Sequence, residues 1–124
     1  FANFPLFIYI CEPNELFPHL LHSKHLKSDF IKPNIHADFH DIYHIYNVRH
    51  PKRNDLKDYL LNAEIKTEIH YPVAPNKQVA MKGIIDHQDY PISEEIHQTT
   101  LSLPISYFHT EDDILKVIDT MNQF

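Results

Sequence analysis

The chain has 124 residues, 43% hydrophobic and 12% aromatic, enough for one domain with a modest core and too apolar for a disordered polymer. A formal net charge of −6 argues against a nucleic-acid partner or an anionic membrane surface, since both call for a basic patch. A single cysteine allows no internal disulfide or cysteine-based zinc site, and a single glycine allows no Gly-rich phosphate loop, Walker motif or dinucleotide fingerprint.

Phe4 to Ile10 is short, apolar and aromatic, which predicts a buried strand. The apolar run from Pro5 to Cys11 has no Lys or Arg before it, so it lacks the charged start of a secretory signal. It is also too short to cross a bilayer. A chain opening on Phe1 instead of Met reads as a fragment or a processed product, and the lone Cys11 suits a reducing, cytoplasmic compartment. Glu12 to Lys27 predicts a weak helix after Pro13, interrupted at Pro18. His19, His22 and His25 share one face of such a helix. They read as a solvated polar face more readily than as a metal patch.

Lys32 to His40 is a connector by its Pro33, Asn34 and Asp38. His36, His40 and His44 recur every fourth residue and again invite a metal reading. Tyr43 to Arg49, however, alternates as a strand, with Tyr43, Ile45, Asn47 and Arg49 on one side and His44, Tyr46 and Val48 on the other. Strand geometry would scatter the three imidazoles. A turn at Pro51 leads to a helix with Asn54 as its expected N-cap, Asp55 in its first turn and an apolar stripe of Leu56, Tyr59 and Leu60, ending near Asn62.

Glu64 to His70 alternates again: Ile65, Thr67 and Ile69 against Lys66, Glu68 and His70, the pattern of a half-buried strand. Pro72 ends the pairing, which leaves His70 and Tyr71 at a strand's end, where a sheet hands polar groups to a cleft. A short helical turn is expected within Asn76 to Gly83, carrying Val79, Ala80 and Met81, and a loop over Ile84 to Tyr90. Pro91 to Thr100 predicts a helix with Pro91 in its first turn and Glu94 and Glu95 at its N-terminal end. Leu101, Leu103 and Ile105 alternate with Ser102 and Pro104, a short strand expected at a sheet edge because of Pro104. Thr110 N-caps the clearest helix, with Glu111, Asp112 and Asp113 behind it and Ile114, Val117, Ile118 and Met121 along one face. Ser102 and Ser106 have histidines nearby in sequence, but no nucleophile elbow or oxyanion glycine surrounds them, so a hydrolase reading is weak.

Ile65-Lys66-Thr67-Glu68-Ile69-His70-Tyr71-Pro72 resembles the C-terminal part of the DegT/DnrJ/EryC/StrS sugar-nucleotide aminotransferases. Tyr43-His44-Ile45-Tyr46 with Arg49 is similar to the first strand of that family's small domain, and Asp55 to Leu60 to the helix after it. Tyr90-Pro91-Ile92-Ser93-Glu94-Glu95 and Leu101-Ser102-Leu103-Pro104 follow in the family's order. The likeness runs from about Ile42, or from Ile31, to the C-terminus. It implies an α+β fold, a small antiparallel sheet packed by helices like the C-terminal domain of the aspartate-aminotransferase fold. That assigns residues 31–124 to the aminotransferase-like domain and residues 1–30 to an unmatched segment, possible as an added strand.

By the same resemblance, the parent enzyme uses pyridoxal phosphate (PLP) to aminate a keto-deoxysugar nucleotide. Glutamate is the amino donor, and the setting is surface-polysaccharide or lipopolysaccharide sugar biosynthesis. The wording around Lys66 to Gln78 is closest to members acting on a dTDP-3-keto-6-deoxyhexose. A large domain would carry the Schiff-base lysine, and a dimer would complete each site. His70, Tyr71 and Asn76 correspond to substrate contacts. The resemblance assigns no catalytic residue, no metal ligand and no PLP to this chain alone. Three features depart from the family. Glu64 stands where Gly is usual, Asn76 stands where a second histidine is usual, and residues 1–30 do not match the preceding helices. Two other readings follow from the residues. One is a non-catalytic remnant or assembly module, its apolar face exposed or covered by Phe4, Phe7, Ile8 and Ile10. The other is a histidine-rich metal module.

Overall fold

Two short strands run antiparallel at the centre of the molecule, β1 (Tyr46–Arg49) and β2 (Thr100–Leu103), with Tyr46 opposite Leu103 and Asn47 opposite Ser102. The computed structural model describes residues 16–34, 38, 44–106 and 108–124. The strand expected over Phe4 to Ile10, and His36 and His40, lie outside the described residues. In β1 the alternation read from the sequence holds: Tyr46 and Val48 are buried, Asn47 and Arg49 half-buried. Single bridges extend the pair on both sides, Ile31 beside Arg49 and Glu68 beside Ser102.

The strand expected over 64–70 is thus reduced to one bridge, although Ile65 and Thr67 are buried and Lys66 and Glu68 exposed as its alternation required. Ser102 N donates to Glu68 O at 2.7 Å, and Glu68 N to Ser102 O at 3.2 Å. The next bonded pair along this antiparallel ladder would set Lys66 against Pro104, which has no N–H to give. In the other direction Thr100 O is already taken by the Arg53 guanidinium. β2 itself is flanked on both sides and buried at all four residues, so the expectation that Pro104 marks an edge strand is corrected. The proline lies just past the strand and shortens its neighbour's pairing instead.

Helix α1 (Leu16–His25) opens where a break was expected. Pro18 falls in its first turn, where the missing N–H has no intrahelical acceptor to lose. His22 points inward, fully buried, its ring 5.0 Å from that of Tyr46, so the solvated-face reading fails at this residue and holds at exposed His25. Burial pushes the Tyr46 phenol up, partly offset by its hydrogen bond with Ser23 at 3.0 Å. α1 packs on the last helix, and Leu26 and Phe30 join the same core as β1 and β2.

Helix α2 (Arg53–Asn62) starts two residues earlier than it would with Asn54 as its cap. Lys52 occupies the cap without a side-chain bond, and Asn54 Oδ1 instead accepts from Arg53 Nε at 2.6 Å. Arg53 is drawn into the helix because its guanidinium is buried against the carbonyls of Thr100 (3.0 Å) and His97 (3.3 Å). Leu56 and Leu60 enter the core. The helix closes in a Schellman turn: Glu64 N donates to Leu61 O and Ile65 N to Leu60 O, both at 2.9 Å, with Glu64 at φ 64°. The position where the family resemblance calls for glycine does need the left-handed region.

Two 3-10 turns, Pro75–Lys77 and Val79–Met81, precede helix α3 (Pro91–Thr99), whose Pro91 sits in the first turn as expected. Helix α4 (Glu111–Gln123) carries a capping box: Asp113 N donates to Thr110 Oγ1 at 3.2 Å and Thr110 N to Asp113 Oδ2 at 2.9 Å. Its Ile114, Val117, Ile118 and Met121 are buried. The fold is α+β, and among the described residues no helix is long and apolar enough to cross a membrane.

Candidate functional site

β1, β2 and the single bridge at Glu68 place Asn47, Ser102 and Glu68 in cross-strand register, so their side chains share one face of the sheet. His70, two residues beyond Glu68, returns to that face. Its Nδ1 lies 2.8 Å from Ser102 Oγ, and Ser102 Oγ donates to Asn47 Oδ1 at 2.5 Å. Ser102 is 5% exposed and His70 half-buried. The serine proton is aimed at an amide oxygen, away from the imidazole. A Ser–His pair of this kind orients the ring and does not create a nucleophile.

The His70–Tyr71 peptide is cis, and the two rings meet edge to face with centroids 5.6 Å apart. Tyr71 is 66% exposed. Its carbonyl accepts from His97 Nδ1 at 2.6 Å, which ties the end of the extended segment to α3. One turn back on α3, Glu94 Oε1 accepts from Asn76 Nδ2 at 2.7 Å and pairs with Lys77 Nζ at 3.3 Å. The 71–77 loop is therefore laced along one helix face by residues three apart. The Asn76 hydrogen bond, with help from Lys77, holds the Glu94 carboxyl below its ordinary value.

His70 and Tyr71 thus adjoin. Asn76 shares their α3 anchor but turns inward: it is 4% exposed, and its Oδ1 finds no hydrogen-bond partner among the described residues. Beyond the loop, Asp89, Tyr90, Pro91, Ile92, Ser93, Ile96 and His97 line an open groove of about 520 Å³. α3 has no buried residue, and Ile92 and Ile96 stand exposed on it; Val73, Val79 and Ile84 are exposed in the segment before it. Among the described residues no three His, Cys, Asp or Glu side chains gather to hold a metal ion. Sequence reasoning missed Asn47, Ser102 and His97 as parts of the site. Alternation put Asn47 and Ser102 on strand faces, but their registration with His70 depends on long-range pairing that no local pattern carries.

A profile of the DegT/DnrJ/EryC1/StrS aminotransferase family matches residues 16–122. The chain belongs to this family. It is 34% identical, over 82% of its length, to the dTDP-3-amino-3,6-dideoxy-alpha-D-galactopyranose transaminase of Aneurinibacillus thermoaerophilus, of which it covers 28%. Among solved structures, it superposes on Streptomyces venezuelae DesV in complex with a ketimine intermediate, with TM-score 0.78 and 24% identity, covering 88% of this chain and 30% of that one. A second neighbour is the Bacillus subtilis ntda structure with bound cofactor PMP, with TM-score 0.73 and 16% identity, covering 88% of this chain and 27% of that one. The chain thus spans less than a third of the proteins it matches. The family match begins at residue 16, upstream of both Ile42 and Ile31, from which the likeness was expected to run, and it takes in α1.

Proposed function

We propose that this chain forms the small C-terminal lobe of a PLP-dependent aminotransferase that acts on a keto-deoxysugar carried by a nucleotide, with glutamate as amino donor. The observation that carries the reading is the match at 34% identity to a dTDP-sugar transaminase, running across most of the chain. In this reading His70 and Tyr71 contact the sugar nucleotide at the rim of the cleft. Asn76 acts one layer back, holding the loop on Glu94. The activity belongs to cytoplasmic sugar-nucleotide chemistry that feeds surface polysaccharide or lipopolysaccharide. The aminotransferase-like domain runs from α1 through α4, wider than the residues 31–124 expected from the motifs: the family match begins at residue 16, and α1 braces α4.

The cofactor's role is to supply an electron sink for amino transfer. The residues described do not by themselves form its site. Gly83, the only glycine, has open space around it and cradles nothing, and the groove along α3 is open and mostly apolar. PLP and its lysine therefore belong to a larger lobe. The apolar surface of α3 and the 73–84 loop supports a covering partner, either that lobe or a second copy of the chain.

The test is a chimera in which residues 16–124 replace the matching part of the Aneurinibacillus transaminase. The expected result is glutamate-dependent amination of the keto-sugar nucleotide, cut at least about tenfold by His70→Ala, as befits loss of a contact worth on the order of 1.4 kcal/mol. A chimera that binds PLP normally but fails to bind any dTDP-sugar overturns the reading.

A further inference from the structure

We infer that Asn47 and Ser102 act as a relay that locks His70 in its Nδ1–H tautomer, so that Nε2 keeps its lone pair as a hydrogen-bond acceptor for a ligand. Proton counting decides the tautomer. A serine hydroxyl has one proton to give and lone pairs with which to accept. Ser102 gives its proton to Asn47 Oδ1 at 2.5 Å. The 2.8 Å contact between Ser102 Oγ and His70 Nδ1 then has no proton on the serine side, so the ring nitrogen must donate. A neutral imidazole that donates from Nδ1 keeps a lone pair on Nε2.

The relay's geometry is rigid. Asn47 and Ser102 are register partners in the only ladder among the described residues, and Ser102 is also held through both backbone bonds to Glu68. The imidazole is thus oriented by the sheet itself and not by the exposed loop after it. This inference rests on the proposed sugar-nucleotide reading only for its occupant. An Nε2 acceptor selects a donor, and a sugar hydroxyl is the donor such a substrate offers. Asn47 and Ser102 are positioning residues and touch no substrate.

The experiment uses the chain with 15N-labelled histidine in mildly alkaline buffer, where imidazoles are neutral, and reads each ring's protonated nitrogen from long-range nitrogen–proton correlations. His97 is the internal control, since its Nδ1 donates to Tyr71 O and should stay Nδ1–H throughout. His70 is expected as a single Nδ1–H tautomer. Asn47→Leu leaves the serine in place but frees its proton to point at the ring, so His70 should swing to Nε2–H. Asn47→Asp restores an acceptor and should restore Nδ1–H. Ser102→Ala should give a mixture of both forms.

A wild-type ring that is Nε2–H, or an Asn47→Leu ring that stays Nδ1–H, overturns the relay. No substrate enters the measurement, so its failure leaves the transaminase reading standing. An inactive chimera with an intact Nδ1–H ring would remove that reading and leave the relay.

Discussion

Glu64→Gly should stabilise the protein, and the size of the effect can be worked from the backbone. Glu64 occupies the residue after the α2 C-cap at φ 64°, in the left-handed region, with both Schellman bonds formed around it. An L-residue pays roughly 1–2 kcal/mol there. Glycine avoids that cost but surrenders about 0.5–1 kcal/mol of extra freedom in the unfolded chain. The net gain is on the order of 1 kcal/mol. With an unfolding entropy of about 2.1 cal per mol per K per residue, that corresponds to roughly 4 °C in Tm for 124 residues. The Glu64 side chain is exposed, so nothing packed is lost with it. Thermal and urea unfolding followed by circular dichroism would read the change, with Glu64→Ala as the control. Alanine removes the carboxylate but keeps the Cβ, and should stay within a few tenths of a kcal/mol of wild type. If alanine stabilises as much as glycine, side-chain charge and not backbone conformation governs this position, and the reasoning fails.

Arg53→Met should cost about 2 kcal/mol, because a buried guanidinium donates to the carbonyls of Thr100 and His97 and such charged bonds are worth about 1.5–3 kcal/mol. Arg53→Lys should recover little of it, lacking the planar fork, and a urea midpoint unchanged in both variants would refute the staple between α2 and α3. For Glu94, the carboxyl sits below its ordinary value because Asn76 and Lys77 favour its charged form. A depressed carboxyl contributes stability that is complete above the unfolded-state value and is lost as pH falls through the folded one. Amide exchange over residues 76–78, corrected for its intrinsic pH dependence, should therefore accelerate below the ordinary glutamate range. In Glu94→Gln that acceleration should vanish, and its persistence would show that another group controls the loop.

Local chemistry alone determines several elements. The Thr110 cap with Asp113 three residues later, and the spacing of Ile114, Val117, Ile118 and Met121, define α4 from short-range rules that tertiary contacts then reinforce. Pro91 and Glu94 set the start of α3, and alternation set which faces of 46–49 and 65–69 turn inward. His70 and Tyr71 were legible as a pair because a proline follows an alternating run.

What local pattern could not supply was pairing. Pro104 reads as an edge signal, yet β2 is central, because a proline just past a strand removes one ladder bond and says nothing about which neighbours approach. Periodicity put His22 on a helix face but could not say that the face meets Tyr46. Asn47 and Ser102 are 55 residues apart, and only antiparallel registration makes them the support for His70. Capping, proline geometry and amphipathic spacing act within a few residues and are written in the chain. Hydrogen bonds between distant strands depend on register, which the collapse of the whole core decides.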